Sequence, residues 1–158
     1  MSKIILGIDP GTNKTGYGVI KIDNNSFSYI ASGIIRTNQK DDIPKKLATI
    51  HNCFLELLEI YSPDILSIEE AFTGVNIASS LKLSYVRGVI LAQSSIHSLD
   101  IFQFPPRKVK KIITGAGDSS KEAVRNAVMS LLHLNNPPSL DASDALAISI
   151  SAFLSLKC

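Results

Sequence analysis

Cysteine, histidine and tryptophan are scarce in this chain. Its 158 residues include two cysteines, three histidines and no tryptophan. Cys53 falls inside a helical pattern and Cys158 is the last residue, so the pair offers neither a disulfide framework nor the spacing of a zinc site. We therefore expect two plain thiols in a reducing cytoplasm.

Long hydrophobic runs are also absent. The apolar stretches fall far short of the roughly 18 residues that a membrane-spanning helix needs. The opening MSKIILGIDPG has one cation, and an Asp stands where a signal peptide requires small neutral residues. Apolar residues make up 45% of the chain and charged residues 19%, which is typical of a globular protein. The sequence predicts a cytoplasmic protein that does not associate with membranes.

The length and the charge distribution predict one domain with one basic region. A chain of this length buries roughly two-thirds of its unfolded surface, and no repeat or low-complexity linker divides it, so we predict a single domain over 1–158. The net charge of +2 says little about partners. Residues 105–121 are strongly basic, however, with Asp118 as their single acid and five cations, Arg107, Lys108, Lys110, Lys111 and Lys121.

Hydrophobic patterning predicts five strands and five helices. Strands at 3–9, 16–22 and 27–35, separated by short polar gaps, predict an antiparallel meander. Further strands are predicted at 65–72, ending on Glu69 and Glu70, and at 100–105. Helices are expected to begin at 41–44 and to cover 77–97, 107–114, about 120–132 and about 139–156, with Ser119 and Glu122 at the spacing of a capping box. This order predicts an α/β fold with a mixed five-stranded sheet and helices on both faces.

Four acidic residues stand where apolar ones are expected. Asp9 ends the first strand, Glu69 ends the strand in SIE, and Asp141 and Asp144 begin the apolar helix in SLDASDALAISI. Each has an ordinary explanation. Asp9 can start the Pro-Gly turn, Glu69 can lie at an exposed strand end, and Asp144 can complement the helix dipole.

Considered together, the four acids predict a metal site. Positions 141 and 144 share one helical face, and the ends of two central strands can meet the start of a covering helix. Such a cluster of like charges needs cations. Carboxylate oxygens without Cys or paired His suit Mg²⁺ or Mn²⁺. Two ions roughly 3.5–4 Å apart would activate a water for phosphodiester cleavage.

These motifs resemble those of the RuvC-type Holliday junction resolvases of bacteria, the crossover junction endodeoxyribonucleases of the ribonuclease H-like superfamily. The resemblance covers essentially the whole chain in the order of the family. The matching stretches are ILGIDPGTNKTGYGVI, SGIIRT, SIEEAF, SLKLSYVRGV, RKVKKIITGAGDSSK and DASDALAISI.

The resemblance implies a structure-selective DNA endonuclease that nicks four-way junctions symmetrically, in homologous recombination and DNA repair. It places the catalytic and metal-binding tetrad on Asp9, Glu69, Asp141 and Asp144, with two Mg²⁺ ions that Mn²⁺ can replace. Some relatives have His at the position of Asp141. The resemblance also implies DNA contacts at Phe72, Lys110 and Lys121, a homodimer, and a branch-migration motor complex as a partner. We expect the helix at 77–97 to form the dimer interface.

Three other functions share parts of the pattern and are disfavoured. An actin-like ATPase needs two such domains around its nucleotide, and this chain has the length of one. A small nuclease of ribosomal RNA maturation shares the first hairpin, but the DASDALAISI helix separates it from this chain. A non-catalytic junction-binding module would lack one of the four acids, and all four are present.

Some individual residues keep two interpretations. Phe72 can be a core residue instead of a base-stacking one, and strand alternation directs Glu70 away from the face of Glu69. Lys108 and Lys111 can belong to a solvated helix face. Three glycines either let DNA approach the backbone or relieve crowding between strands, namely Gly7, Gly16 and Gly18.

Overall fold

The computed structural model describes residues 1–70 and 76–157, which form one five-stranded sheet covered by five helices. The predicted elements are confirmed, with shifts of a few residues at their ends. The strands are β1 (Ser2–Asp9), β2 (Lys14–Asp23), β3 (Ser26–Arg36), β4 (Ile65–Glu69) and β5 (Asp100–Phe104). The helices are α1 (Ile43–Tyr61), α2 (Ile77–Ile96), α3 (Pro106–Thr114), α4 (Lys121–Leu131) and α5 (Leu140–Leu156).

The sheet is mixed and has the order β3-β2-β1-β4-β5. Strands β1, β2 and β3 form the predicted antiparallel meander, whereas β4 runs parallel to β1 and β5 runs parallel to β4. Ile8 is paired with Ile68 in the central parallel ladder. Asp9 and Glu69 each follow that pair, so the register brings both acids to one edge of the sheet.

Helices cover both faces of the sheet. On one face Ile5 and Ile65 belong to a buried cluster with residues of α3, α4 and α5. On the other face Leu6 and Ile68 pack with Phe54 of α1 and with residues of α2. Successive residues of β1 therefore enter two different cores, as the alternation of side chains along a strand requires.

Helix boundaries follow local capping chemistry. Asp42 caps α1 and accepts a hydrogen bond from the backbone N–H of Lys45, and Gly115 ends α3 at a φ of 86°. The predicted capping box at Ser119 and Glu122 is wrong. Ser120 is the N-cap of α4, and the Ser119 hydroxyl instead donates to the carbonyl of Ala116. Within the described residues, no helix has the length and apolarity that a membrane span requires.

The three glycines of β1 and β2 explain how α5 lies on the sheet. A Cβ at Gly7 would lie 2.2 Å from the Ala145 carbonyl oxygen, and one at Gly18 would lie 2.7 Å from the Leu146 nitrogen. A Cβ at Gly16 would lie 2.3 Å from the carbonyl oxygen of Asp141. Real Cβ atoms do not come this close to backbone, so the helix and strands touch directly at these positions. The two sequence-based explanations, DNA approach and strand crowding, are therefore replaced by helix packing.

We expect Gly18→Ala to destabilise the protein by about 1–3 kcal/mol, because the added methyl group must push α5 away from β2. The free energy of unfolding in urea measures this effect. Lys21→Ala, an exposed substitution on the same strand, should stay within about 0.5 kcal/mol of the original protein. Equal stability of the Gly18→Ala and Lys21→Ala proteins would contradict the direct contact.

Candidate active site

Three of the four predicted acids meet at the edge of the sheet. Asp9 comes from the end of β1, and Asp141 and Asp144 come from the first turns of α5. One carboxylate oxygen of each lies within 4.8 Å of the others. Ser139 fixes the start of α5, since its hydroxyl accepts a hydrogen bond from the Ala142 backbone N–H. The one-turn spacing of Asp141 and Asp144 then places both beside β1.

Glu69 joins this group from β4. It lines a cavity of about 150 Å³ together with Asp9 and Asp144. Two lysines, Lys110 of α3 and Lys121 of α4, line the same cavity. All four predicted acids and both predicted lysines are thus at or beside one site. We call the four carboxylates of Asp9, Glu69, Asp141 and Asp144 the acidic cluster.

Burial and repulsion between carboxylates raise the pKa of Asp9, Glu69 and Asp144. The pKa of Asp9 is raised to about 8, first by burial and then by the charges of Glu69 and Asp144. The pKa of Glu69 is raised to about 7, again by burial first and then by Asp144. Burial also raises the pKa of Asp144, although Lys121 opposes the shift.

The acidic cluster suits a divalent cation bound by oxygen. Its donors are carboxylate oxygens, the ligand type that Mg²⁺ and Mn²⁺ prefer. The pKa values of Asp9, Glu69 and Asp144 are raised by burial first, and repulsion from neighbouring carboxylates adds to the shift. A bound cation would replace the protons and remove the repulsion.

Lys121 is held against the acidic cluster. Its Nζ lies 3.3 Å from Oδ2 of Asp144, and Lys121 is the first helical residue after the cap Ser120. Burial alone would lower the pKa of Lys121, but the Asp144 charge and hydrogen bond raise it overall. This lysine is therefore cationic and half-exposed, with its ammonium beside the carboxylates.

The neighbouring cations do not share this position. Lys108 lies 5.6 Å from the centre of the Phe104 ring, and neither it nor Lys111 lines the cavity. Glu70 does not line it either. Its backbone N–H donates to the Phe104 carbonyl, which continues the pairing of β4 with β5. Phe72 lies outside the described residues.

Arg87 of α2 is a site residue that the sequence analysis did not identify. Its Nε donates to the backbone carbonyl of Glu69 at 2.9 Å, and its Nη2 donates to the side chain of Gln103. The arginine thus ties α2 to the ends of β4 and β5, through the backbone of the cavity-lining Glu69. Its only sequence signal is that one cation stands in the apolar stretch YVRGVILA.

We expect the stability of the metal-free protein to fall as pH rises from about 4 to about 8. Asp9 and Glu69 have folded-state pKa values far above their ordinary ones, so the folded protein binds more protons than the unfolded chain in this range. Unfolding in urea with EDTA, repeated at several pH values, measures the slope. Asp9→Asn should flatten it, whereas Glu70→Gln should not. A stability that rises across this range in the unmodified protein would contradict the arrangement.

Comparison with known proteins agrees with the geometry. The family model described as crossover junction endodeoxyribonuclease RuvC matches residues 5–152. RuvC of Legionella pneumophila is 43% identical over 147 residues, which cover 93% of this chain and 84% of the relative. RuvC of Photorhabdus laumondii is 43% identical over 148 residues, covering 94% and 85%.

Solved structures agree as well. The structure of Thermus thermophilus RuvC matches with a TM-score of 0.85 at 26% identity, covering 98% of this chain and 96% of that one. T. thermophilus RuvC in complex with a Holliday junction substrate matches with a TM-score of 0.87 at 26% identity, covering 97% and 94%. The chain therefore belongs to the RuvC family of crossover junction endodeoxyribonucleases.

Proposed function

We propose that this protein is an endodeoxyribonuclease that resolves four-way DNA junctions by nicking two opposed strands. The observation that carries the proposal is the acidic cluster, where three carboxylates from two elements lie within 4.8 Å and a fourth lines the same cavity. The relatives are named crossover junction endodeoxyribonucleases, and one of them was solved with a Holliday junction substrate.

The catalytic residues in this proposal are Asp9, Glu69, Asp141 and Asp144, which would hold two Mg²⁺ ions, with Mn²⁺ as a substitute. When bound, two such ions activate a water and stabilise the leaving oxygen of a phosphodiester. The strands and α5 hold the four carboxylates on rigid elements, so their spacing does not depend on a loop. Partial burial of Asp9 and Glu69 lowers the local dielectric and strengthens the attraction of the site for cations.

Lys110 and Lys121 are proposed to contact DNA phosphates at the cleavage site. Both line the cavity that contains Asp9, Glu69 and Asp144, and an ammonium group there attracts a phosphate that approaches the acids. Phe72 follows β4 by three residues in the sequence, and we propose that it stacks on unpaired bases at the junction.

A homodimer fits the two-fold relation of the strands that are cleaved. Helix α2 carries an exposed apolar face on which Ile77, Leu81 and Tyr85 repeat every four residues, with exposures of 74%, 55% and 52%. We propose that two copies of the chain bury this face against each other, giving one active site for each nick.

The proposed setting is recombination and repair in the bacterial cytoplasm, with a branch-migration motor complex as a partner. The family match over residues 5–152 argues against an actin-like ATPase and a ribosomal RNA maturation nuclease. A non-catalytic junction-binding module is disfavoured because all four acids are present.

We expect Asp9→Asn, Glu69→Gln, Asp141→Asn and Asp144→Asn each to abolish cleavage while leaving junction binding largely intact. The physical reason is that an amide cannot replace the negative charge of a metal ligand. A synthetic four-way junction incubated with Mg²⁺ and the protein, with nicks mapped on all four strands, measures the result.

Glu70→Gln is the matched control for this series and should retain paired nicks. Junction binding without nicks by the unmodified protein in Mg²⁺ and in Mn²⁺ would favour the non-catalytic module. Retained cleavage in any one acid variant would remove that residue from the proposed tetrad.

We expect Leu81→Glu to convert the dimer to a monomer at micromolar concentration, because a buried unpaired charge in an apolar interface is strongly unfavourable. Light scattering or sedimentation measures the mass. Ile60→Glu is the control, since Ile60 is an equally apolar and exposed residue on α1. A monomeric unmodified protein, or an unchanged dimer in Leu81→Glu, would contradict the proposed interface.

A further inference from the structure

A second cavity adjoins the acidic cluster. It has a volume of about 560 Å³ and lies between the β1–β2 turn (11–14) and the first turns of α2. Asp141 lines this cavity, whereas Asp9, Glu69 and Asp144 line the first one. Asp141 also contributes an oxygen to the acidic cluster, so one residue of that cluster lines the second cavity while the others line the first. We call the second cavity the turn groove.

The turn groove carries positive charge that the protein does not neutralise. Lys14 and Lys82 line it and are both exposed. Across residues 1–70 and 76–157 the one ion pair joins Lys121 to Asp144, so neither groove lysine pairs with an acid there. Asp141 is the single acid among the lining residues. The charge pattern therefore favours an anion that also reaches the acidic cluster.

The β1–β2 turn directs its carbonyl oxygens into the protein. The Gly11 carbonyl accepts from the Thr15 hydroxyl at 2.8 Å, and the Thr12 carbonyl accepts from the Thr37 hydroxyl at 2.6 Å. The Asn13 carbonyl accepts from the backbone N–H of Thr37 at 3.1 Å. Three successive acceptors are thus occupied by protein donors. These carbonyl oxygens are therefore not available as ligands for a cation. They also repel an anion less than unpaired carbonyl oxygens would.

A buried lysine orients the side chain of Asn13. Lys46 is 9% exposed, and its Nζ donates to Oδ1 of Asn13 at 2.7 Å. The bond fixes the amide oxygen toward Lys46, so the two N–H donors of the Asn13 side chain are held on the other side of the amide, and Oδ1 keeps one further lone pair. Asn13 itself is exposed and lines the groove. Lys46 thereby fixes the orientation of the Asn13 amide in the turn.

We propose that the turn groove binds phosphates of the DNA strand that is cleaved, next to the phosphate at the acidic cluster. Lys14, Lys82 and the amide N–H groups of Asn13 contact the backbone, and Lys46 is a positioning residue for Asn13. The strand then passes from the cavity with Lys110 and Lys121, across the carboxylates, into the groove. This inference rests on the proposed function as a junction nuclease and adds a backbone-binding subsite to it.

Salt dependence tests the charge contacts. Binding of a fluorescent four-way junction is measured in EDTA, which prevents cleavage, over a series of salt concentrations. Lys14→Gln and Lys82→Gln should each weaken binding and lower the slope of log K against log salt by about 0.9 per phosphate lost. Lys21→Gln removes the same charge near the end of β2 that pairs with Ile4, far along the sheet from the Asp9 end of β1, and should keep the slope. Unchanged slopes in both groove variants would overturn the proposal.

Neutral phosphates test the position of the contact. Junctions with a single methylphosphonate at successive sites on either side of the cleaved bond are compared in the same assay. At one or more adjacent sites the substitution should weaken binding to the unmodified protein and to Lys21→Gln. The same methylphosphonate should have little effect on binding to the Lys14→Gln/Lys82→Gln double variant. Equal sensitivity of all three proteins at every site would overturn the proposal.

The role of Lys46 has its own test. Asn13→Ala and Lys46→Met should weaken junction binding by the same factor, and the double variant should be no weaker than either. Unfolding in urea is measured in parallel. Reduced stability of Lys46→Met with unchanged affinity of the folded protein would assign Lys46 a structural role only and overturn its positioning role.

These outcomes can be separated from failure of the proposed function. Nick mapping on the unmodified protein tests junction cleavage, whereas the EDTA assays read backbone binding alone. If cleavage occurs but the methylphosphonate effects persist in the double variant, the groove proposal fails and the nuclease proposal stands. The unmodified protein can instead fail to cleave while the methylphosphonate effects are lost in the double variant. The groove is then a phosphate-binding site, and the nuclease proposal fails.

Discussion

The direct contact between α5 and the glycine positions of β1 and β2 determines most of this structure. The helix backbone lies where Cβ atoms of ordinary residues would stand, at 2.2 Å from the Ala145 oxygen for Gly7 and 2.3 Å from the Asp141 oxygen for Gly16. Side chains between a helix and a sheet normally keep the two apart. Without them, the first turn of α5 reaches the end of β1, and the short carboxylates of Asp141 and Asp144 reach Asp9.

This proximity has an energetic cost that the surrounding structure offsets. Four carboxylates lie close together at one edge of the sheet, and their partial burial reduces the solvation that would stabilise their charges. Two features reduce the cost: the raised pKa values of Asp9 and Glu69 favour their neutral forms, and Lys121 lies beside Asp144. The large apolar clusters on both sheet faces hold the acids in place despite their repulsion. A site selected for stability alone would not contain this arrangement.

The sequence predicted the fold and the acids because both leave local signals. Asp9 and Glu69 interrupt apolar runs, and Asp141 and Asp144 have the spacing of one helix face, so a pattern of a few residues identifies them. The meander was equally visible in the short polar gaps between strands. Contacts between distant segments left no such signal. Arg87 reaches the carbonyl of Glu69 from another element, and Lys46 reaches Asn13 across 33 residues of sequence.

The glycines illustrate the same limit. Gly7, Gly16 and Gly18 were recognisable as unusual in a strand, but the partner that they admit is a helix more than 120 residues later.

The N-cap of α4 was misplaced by one residue for a related reason. Ser119 and Ser120 are chemically equivalent in the sequence, and only the turn at Ala116 decides which hydroxyl is free to cap the helix.

Helix α5 follows every other described element in chain order, and it carries two of the four acids. During synthesis the earlier strands leave the ribosome first. A partly made chain can pair β1 with β2 and β4, but it lacks Asp141 and Asp144 and has an open glycine-lined sheet face where α5 belongs. An incomplete chain therefore lacks the assembled acidic cluster. The order of the elements along the chain delays assembly of the acidic cluster until α5 has been translated.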